Sequence, residues 1–350
     1  MPNLAAGFYL APASKEPAQA GLKIFDAIRS CSVTVREVVV DRGYSQADVE
    51  HWAAPLLNRG IQQIIDLKGD QRTVRPGPTD RTLMIDGGIY TDAIPEKLRH
   101  LPPPHFGMKR KARLALAVAY AARSNYEFRP LNAPDPVTGA QRFRGPAQKG
   151  EQATLRCANF PASLRSRGKP ETRCAETGPC HCGITITVSP EHRLKDRQPV
   201  AWQSPKWYAS YCRRTLVESF HADTKFHHSG FRRGFVRVLG RAKEGLLLAF
   251  ATLGINIRKI RQWFWAREMR DPWLAEISDT SDPYRTSRAP SRRQKHASPA
   301  LHRNLTNEVA QVTPEDVAEA LRSAELAHKK DRKRRRRRGR RRRPPPPDVN

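Results

Sequence analysis

Four polar side chains between positions 211 and 225 are spaced to share one face of a helix. The segment reads YCRRTLVESFHADTK and sets Tyr211, Arg214, Glu218 and Lys225 at offsets of 0, 3, 7 and 14. At roughly 100° per residue these offsets fall within about 60° of one another, along about 20 Å of axis. Two cations and a phenol suit a phosphate backbone, and a lone carboxylate among them suits a divalent metal. A second carboxylate, Asp41, ends the β-branched run SVTVREVVVD and is followed by Arg42, Gly43 and Tyr44. In-line attack on a phosphodiester by a two-Mg²⁺ mechanism calls for hard oxygen ligands, which Asp and Glu supply. Asp41 and Glu218 are thus the candidate catalytic and magnesium-binding residues, and Tyr211, Arg214 and Lys225 the candidate DNA-binding ones. The plain alternatives are that Glu218 pairs with Arg214 or Lys225 on a solvated helix face and that Asp41 is an acidic turn residue.

The elements around these residues read as α/β. Residues 17–30 place Leu22, Phe25 and Ile28 on one helical face, and the run from Ser32 to Asp41 reads as a buried strand. Ala47 to Asn58 reads as a helix closed by Gly60 and shortened by Pro55, and Ile61 to Leu67 as a second strand. Helix, strand, helix, strand with short connections favours parallel pairing. Between Lys68 and Gln203 the character changes: Pro and Gly are frequent, RTLMI, IYTDAI and GITITV look like short strands, and helical period is confined to Arg110–Arg123. Helical signal returns at Trp207–Phe226 and Gly240–Ala266, with a weaker helix at Pro314–Ala327. The expected organisation is a disordered stretch at 1–15, the first part of a core at 16–68, an insertion at 69–203, the second part of the core at 204–266, and a mostly disordered basic tail at 267–350.

Tyr211, Arg214, Glu218 and Lys225 match the YxxRxxxExxxxxxK signature, and the chain thereby resembles the DDE transposases of bacterial insertion sequences, in the type-four group with the YREK motif. Asp41 in DRGY looks like the second catalytic Asp of that group, Glu218 matches its acidic third member, and Arg233–Ile260 is similar to the helical segment that follows the signature. The resemblance implies a ribonuclease H-like core, two magnesium ions, and double-stranded transposon ends as substrate. It also implies three antiparallel strands and a first Asp ahead of Asp41, and the 40 preceding residues do not accommodate them. Asp26 lies in a helical stretch and reads as a surface charge, and Asp66, at the end of the second strand, is not a ligand position in the resembling fold. The expectation is an incomplete, inactive copy, with full-length transposase or a second copy as a partner. The competing expectation is a non-catalytic DNA-binding protein, and a basic RNA-associated protein is the third class.

Cys157, Cys174, Cys180 and Cys182 lie in the expected insertion. Four thiolates can close a tetrahedral Zn²⁺ site, with His181 an alternate ligand, but the gaps of 16, 5 and 1 lack the usual CxxC pairs, so ordinary reduced thiols are the preferred reading. Cys31 and Cys212 read as structural. Trp202, Trp207 and Tyr208 precede the signature; each can stack on an unstacked base or pack in a core. His227 and His228 read as a polar helix end. The chain carries a formal net charge of +29 in 350 residues, of which Lys329–Arg343 supplies +12 from 13 basic residues and one Asp, so the rest is basic too. The Arg tract reads as a sequence-neutral phosphate binder, a localisation-like patch, or a by-product of GC-rich coding DNA. With 38% hydrophobic residues the chain can bury a core. No apolar run reaches membrane-spanning length, so a cytoplasmic, nucleoid-associated protein in a reducing compartment is expected.

Overall fold

The computed structural model describes residues 4–10, 17–105, 107–135, 137–192, 194–227, 229–231, 238, 240–267, 269 and 307–341, with side chains of the last helix through Asp331. The chain forms two compact units: residues 1–66 with 209–305, and residues 67–208 with 306–350. Both mix helices with small sheets, and no helix among the described residues is long and apolar enough to cross a membrane.

In the first unit, helix α1 (Pro17–Ser30) precedes strand β1 (Glu37–Val40), helix α2 (Ala53–Asn58) and strand β2 (Gln62–Ile65). The strands pair in parallel with Val40 opposite Ile65, as the short helical connection requires. Both are shorter than the sequence predicts. Helix α2 is shorter too: Tyr44–Gln46 and Val49–His51 wind as 3-10 turns before it, and Pro55 sits within its first turn, where a missing N–H costs nothing. Gly60 ends it at φ +69, a left-handed conformation that glycine adopts without steric penalty. The core is built on Trp52, which is 1% exposed, lies against the Phe25 and Tyr44 rings at centroid separations of 6.2 and 4.7 Å, and donates its indole N–H to Gln63 Oε1 at 3.1 Å. That bond satisfies both buried polar groups.

The second unit contains two three-stranded antiparallel sheets, β3 (Val74–Pro76), β4 (Thr82–Ile85) and β5 (Gly88–Thr91) in one, β6 (Arg129–Pro130), β7 (Gln141–Arg144) and β8 (Thr185–Val188) in the other. Between them run a short helix α3 (Glu96–Arg99) and helix α4 (Arg110–Ala122), whose buried face carries Leu114, Leu116, Ala117 and Tyr120. Arg123, just past α4, is 1% exposed, pairs with Asp86 at 2.5 Å and donates to the carbonyls of Leu98 and Arg99. A guanidinium this deep is tolerable only with its donors matched. Tyr120, Trp202 and Trp207 pack edge to face, and Tyr208 stands edge-on to Trp207 at 5.3 Å. The two Trp side chains are core, at 3% and 2% exposure, with no face open to a base.

The basic tail departs from expectation. In place of a short weak helix, Pro314–Arg341 forms one continuous helix through most of the Arg tract. Its Ala320 and Ala324 are buried and it packs on α4, with Lys111 pairing with Asp316 at 2.8 Å and Arg110 with Glu308 at 2.7 Å. Thr313 and Asp316 cap its start reciprocally: Thr313 N–H donates to Asp316 Oδ2, and Asp316 N–H to Thr313 Oγ1.

Two outcomes are expected. Trp52→Ala should lower stability by roughly 3–5 kcal/mol in urea denaturation, while Val33→Ala, at an exposed site, should stay within about 0.5 kcal/mol. Burial pushes the Glu127 carboxyl up to about 7, against the pull of Arg129 and Lys206. The folded state then holds a proton that the unfolded chain has released, so stability should fall as pH rises from about 4.5 to about 7, and Glu127→Gln should flatten that slope.

Candidate functional site

Asp41 follows β1 directly, and its Oδ1 accepts the Gly43 N–H at 2.8 Å, closing the turn that DRGY predicts. Because Val40 and Ile65 are register partners, Asp66 occupies the equivalent place at the end of β2. Arg42 crosses between the two, donating its Nε–H to Asp66 Oδ2 at 2.7 Å. Two carboxylates and a guanidinium thus line the C-terminal edge of the parallel pair.

The signature segment is helical but not one uniform helix. Helix α5 (Cys174–Thr177) belongs to the second unit; the segment itself begins with α6 (Pro205–Tyr211), passes through a 3-10 turn at Cys212–Arg214, continues as α7 (Thr215–Ala222) and ends in a π turn at Asp223–His227. A 3-10 turn advances faster than 100° per residue and a π turn slower, so the single stripe expected for Tyr211, Arg214, Glu218 and Lys225 is bent at both ends. The 3-10 turn packs beside β1, and Arg213 makes an ion pair with Glu37 at the start of that strand.

Tyr211 lies within electrostatic reach of the strand edge. Burial is the main influence raising its phenol above the ordinary range; the Asp66 carboxylate adds to this and Asp41 contributes, against Arg214 and Arg42. Arg214 lies over the Tyr211 ring at 5.7 Å and pairs with Glu218 at 2.9 Å. Glu218 faces solvent with 58% of its side chain exposed, the solvated ion pair that its i,i+4 spacing allows. Lys225 is exposed on the π turn, beside Thr224, whose hydroxyl donates to Phe220 O. Helix α8 (Arg241–Trp265) packs against that turn and supplies Lys259, paired with Asp223 at 2.7 Å.

The structure therefore gathers Asp41, Arg42, Asp66, Tyr211 and Arg214, and leaves Glu218 and Lys225 on exposed turns of the same segment. Asp66 was set aside in the sequence, yet parallel strands in this register place it level with Asp41. Asp26 is a surface charge paired with Arg59 at 2.8 Å. Among the described residues, one group of three or more possible metal ligands comes together, and it is not here: Asp41 and Glu218 belong to none. The carboxylates gathered here do not make up a two-magnesium centre among the described residues.

That one group is in the second unit. The sulfurs of Cys157, Cys174, Cys180 and Cys182 all lie within 4.8 Å of one another, and all four residues are buried, an arrangement able to hold a metal ion. Cys157 Sγ is 3.6 Å from Cys180 Sγ and Cys174 Sγ is 3.7 Å from Cys182 Sγ. Burial pushes the Cys174 thiol up to about 11 and Cys182 higher still. For Cys180 burial acts in the same direction, but hydrogen bonds, led by the Cys182 N–H and the Asn159 amide, bring it below the ordinary value. Cys31 and Cys212 are exposed and in no disulfide, not the structural cysteines expected. His227 is exposed, and His228 lies outside the described residues.

Comparison with protein-family models, with curated proteins and with solved structures gives no match for this chain.

Glu218→Gln is expected to change stability by less than about 0.5 kcal/mol, since the Arg214 pair is solvated. Asp66→Asn should move the Tyr211 titration midpoint down toward the ordinary phenol value, read by ring-resonance NMR against pH; an unmoved midpoint would separate Asp66 from the site.

Proposed function

We propose that the chain is a DNA-binding member of the DDE transposase lineage whose catalytic core is incomplete. Its first unit corresponds, on this reading, to part of a ribonuclease H-like core, with β1 and β2 as the parallel pair that carries the second Asp. The observation that carries the reading is the juxtaposition of Asp41, closing β1, with Tyr211 and Arg214 of the signature segment. The YREK spacing by itself is satisfied by any solvated helix; its convergence on the DRGY turn is what a phosphodiester-handling site requires.

Within this reading Arg214 and Lys225 meet the phosphate backbone of duplex DNA, and Tyr211 positions Arg214 by lying under its guanidinium. The carboxylates lack a third partner among the described residues, so the chain binds without cutting. The described residues of the first unit contain a two-stranded sheet with no third strand, and an open edge of this kind favours pairing with another chain. That supports a second role beside full-length transposase, as an inhibitor that occupies its partner and its DNA.

Duplex binding by the full chain, followed by fluorescence anisotropy over a salt series, tests the proposal. Each lost phosphate contact should reduce the slope of log K against log salt by about 0.9, so Arg214→Ala with Lys225→Ala should reduce it by about 1.8. An unchanged slope, or preference for RNA over duplex DNA, removes the two residues from the interface. Mg²⁺-dependent strand cleavage abolished by Glu218→Gln would overturn the claim of inactivity.

A further inference from the structure

The four-cysteine cluster plays no part in the proposed DNA chemistry, and it is the most fully assembled group of ligand atoms among the described residues. We infer that Cys157, Cys174, Cys180 and Cys182 bind one structural zinc ion as a tetrathiolate centre, and that this ion cross-links the loops of residues 145–184.

Geometry is the first support. A tetrahedral ion with Zn–S bonds of about 2.3 Å separates its sulfurs by about 3.8 Å. The Cys157–Cys180 and Cys174–Cys182 separations are 3.6 and 3.7 Å, and every pair is within 4.8 Å. The sulfurs come from three places in the chain: the turn before the 3-10 segment Pro161–Arg165, the first residue of α5, and the tight turn leading into β8. Three loops, joined also by the Arg156 N–H to Pro170 O and Thr172 N–H to Arg156 O bonds, converge at their sulfur atoms, where an ion would hold them.

The surroundings supply the second support. A tetrathiolate zinc centre carries a net charge of −2, and burying it requires donors directed at sulfur. Asn159 donates its amide N–H to Cys180 Sγ at 3.5 Å, and the Thr91 hydroxyl, fully buried at the end of β5, is 3.2 Å from Cys182 Sγ. Two more buried polar atoms on residues next to cysteines, Arg156 Nε and His181 Nδ1, have no hydrogen-bond partner, and the Thr172 side chain hydrogen-bonds to Cys174. Orphaned polar atoms are unusual in a folded interior, and donors without acceptors are what a shell around an anionic metal centre looks like when only neutral thiols are counted.

Backbone packing is the third. A Cβ on Gly145 would stand 2.4 Å from the Cys182 carbonyl oxygen, and one on Gly183 would stand 2.3 Å from the Phe160 ring. Both glycines let the chain close tightly against the cysteine turn. Gly145 N–H donates to Ile184 O and Ala147 N–H to Cys182 O, at 2.9 and 2.8 Å, so the turn holding two of the ligands is fastened to the segment that follows β7. Four soft sulfur donors in a closed, dry tetrahedron select zinc over magnesium or calcium, and leave no open coordination position for catalysis. On binding, the four thiols release four protons to solvent and the ion enters as Zn²⁺, with no change in oxidation state.

Metal analysis of the purified full chain, grown without added chelator, tests the inference directly. About one zinc per chain is expected, released in step with the reaction of four thiols by a mercurial. Cys174→Ser should lower occupancy at least about tenfold, while Cys31→Ser, an exposed cysteine outside the cluster, should retain it. Where Cys174→Ser fails to fold, cobalt exchange into the unaltered chain replaces it, with the intense visible bands of tetrahedral sulfur coordination expected. Thr172→Val should keep the ion but speed its loss to a chelator. Less than about 0.1 zinc per chain with all six thiols reactive, the four of the cluster and the exposed Cys31 and Cys212, would overturn the inference. So would two disulfides by mass spectrometry, or stoichiometric iron in place of zinc. None of these results alters the salt slope on DNA, so the two proposals fail separately.

Discussion

Residues 67–208 are organised around sulfur. Their strands are two to four residues long, too short for either three-stranded sheet to bury much of a hydrophobic face alone. Ile85, Tyr90, Ile94, Tyr126 and Leu155 assemble with the four cysteines as one cluster, and Met84, Ile89, Phe128, Phe143, Ile186 and Val188 form a second one without sulfur from cysteine. Bringing four thiols within 4.8 Å of one another decides where three loops stop, which glycines are needed, and why Thr91 points inward from the end of its strand. Remove that convergence and the loops between β7 and β8 have little apolar area with which to choose one conformation. The unit thus adds a point-like junction to the small interface through which Met84 and Ile89 of one sheet meet Phe143, Ile186 and Val188 of the other.

The first unit relies on a different device, a single large side chain. Trp52 joins α1, the DRGY turn and β2 through Phe25, Tyr44 and Gln63. By holding the turn against the strand pair it also keeps Asp41 level with Asp66. The carboxylate edge is therefore a by-product of aromatic packing, which explains how its arrangement can persist without a full set of metal ligands.

Much of this was legible in the residues. The helix at 17–30, the parallel pair, the long helix after residue 240 and the strands in RTLMI, IYTDAI and GITITV all follow from periodicity and turn residues. Strands β3, β6 and β7 do not: VRP, RP and QRFR carry Pro and Arg in place of alternating apolar residues, and they exist through pairing with better strands. The signature helix was legible in position but not in phase, because a 3-10 and a π turn are local windings with no strong compositional mark. The tail helix was legible at Pro314–Ala327, but not its continuation to Arg341. Its charge suggested disorder, whereas two alanines at i,i+4 and a Thr313/Asp316 cap were enough to seat it on α4. The cysteine spacing was ambiguous because gaps of 16, 5 and 1 say nothing of which loops meet. Cys212 read as structural on residue type alone, and exposure decides otherwise.

The two units are interleaved along the chain, and this has a consequence for biosynthesis. The first is completed only by residues 209–305 and the second only by 306–350. On a ribosome adding about 5–20 residues per second, the β1–β2 pair must wait roughly 7 to 30 seconds for its own second half. Throughout that interval a nascent strand rich in valine is without its eventual neighbours, while the cysteine-bearing segment has already emerged. The second unit waits longer still, because its last part, residues 306–350, emerges only after the first unit is complete.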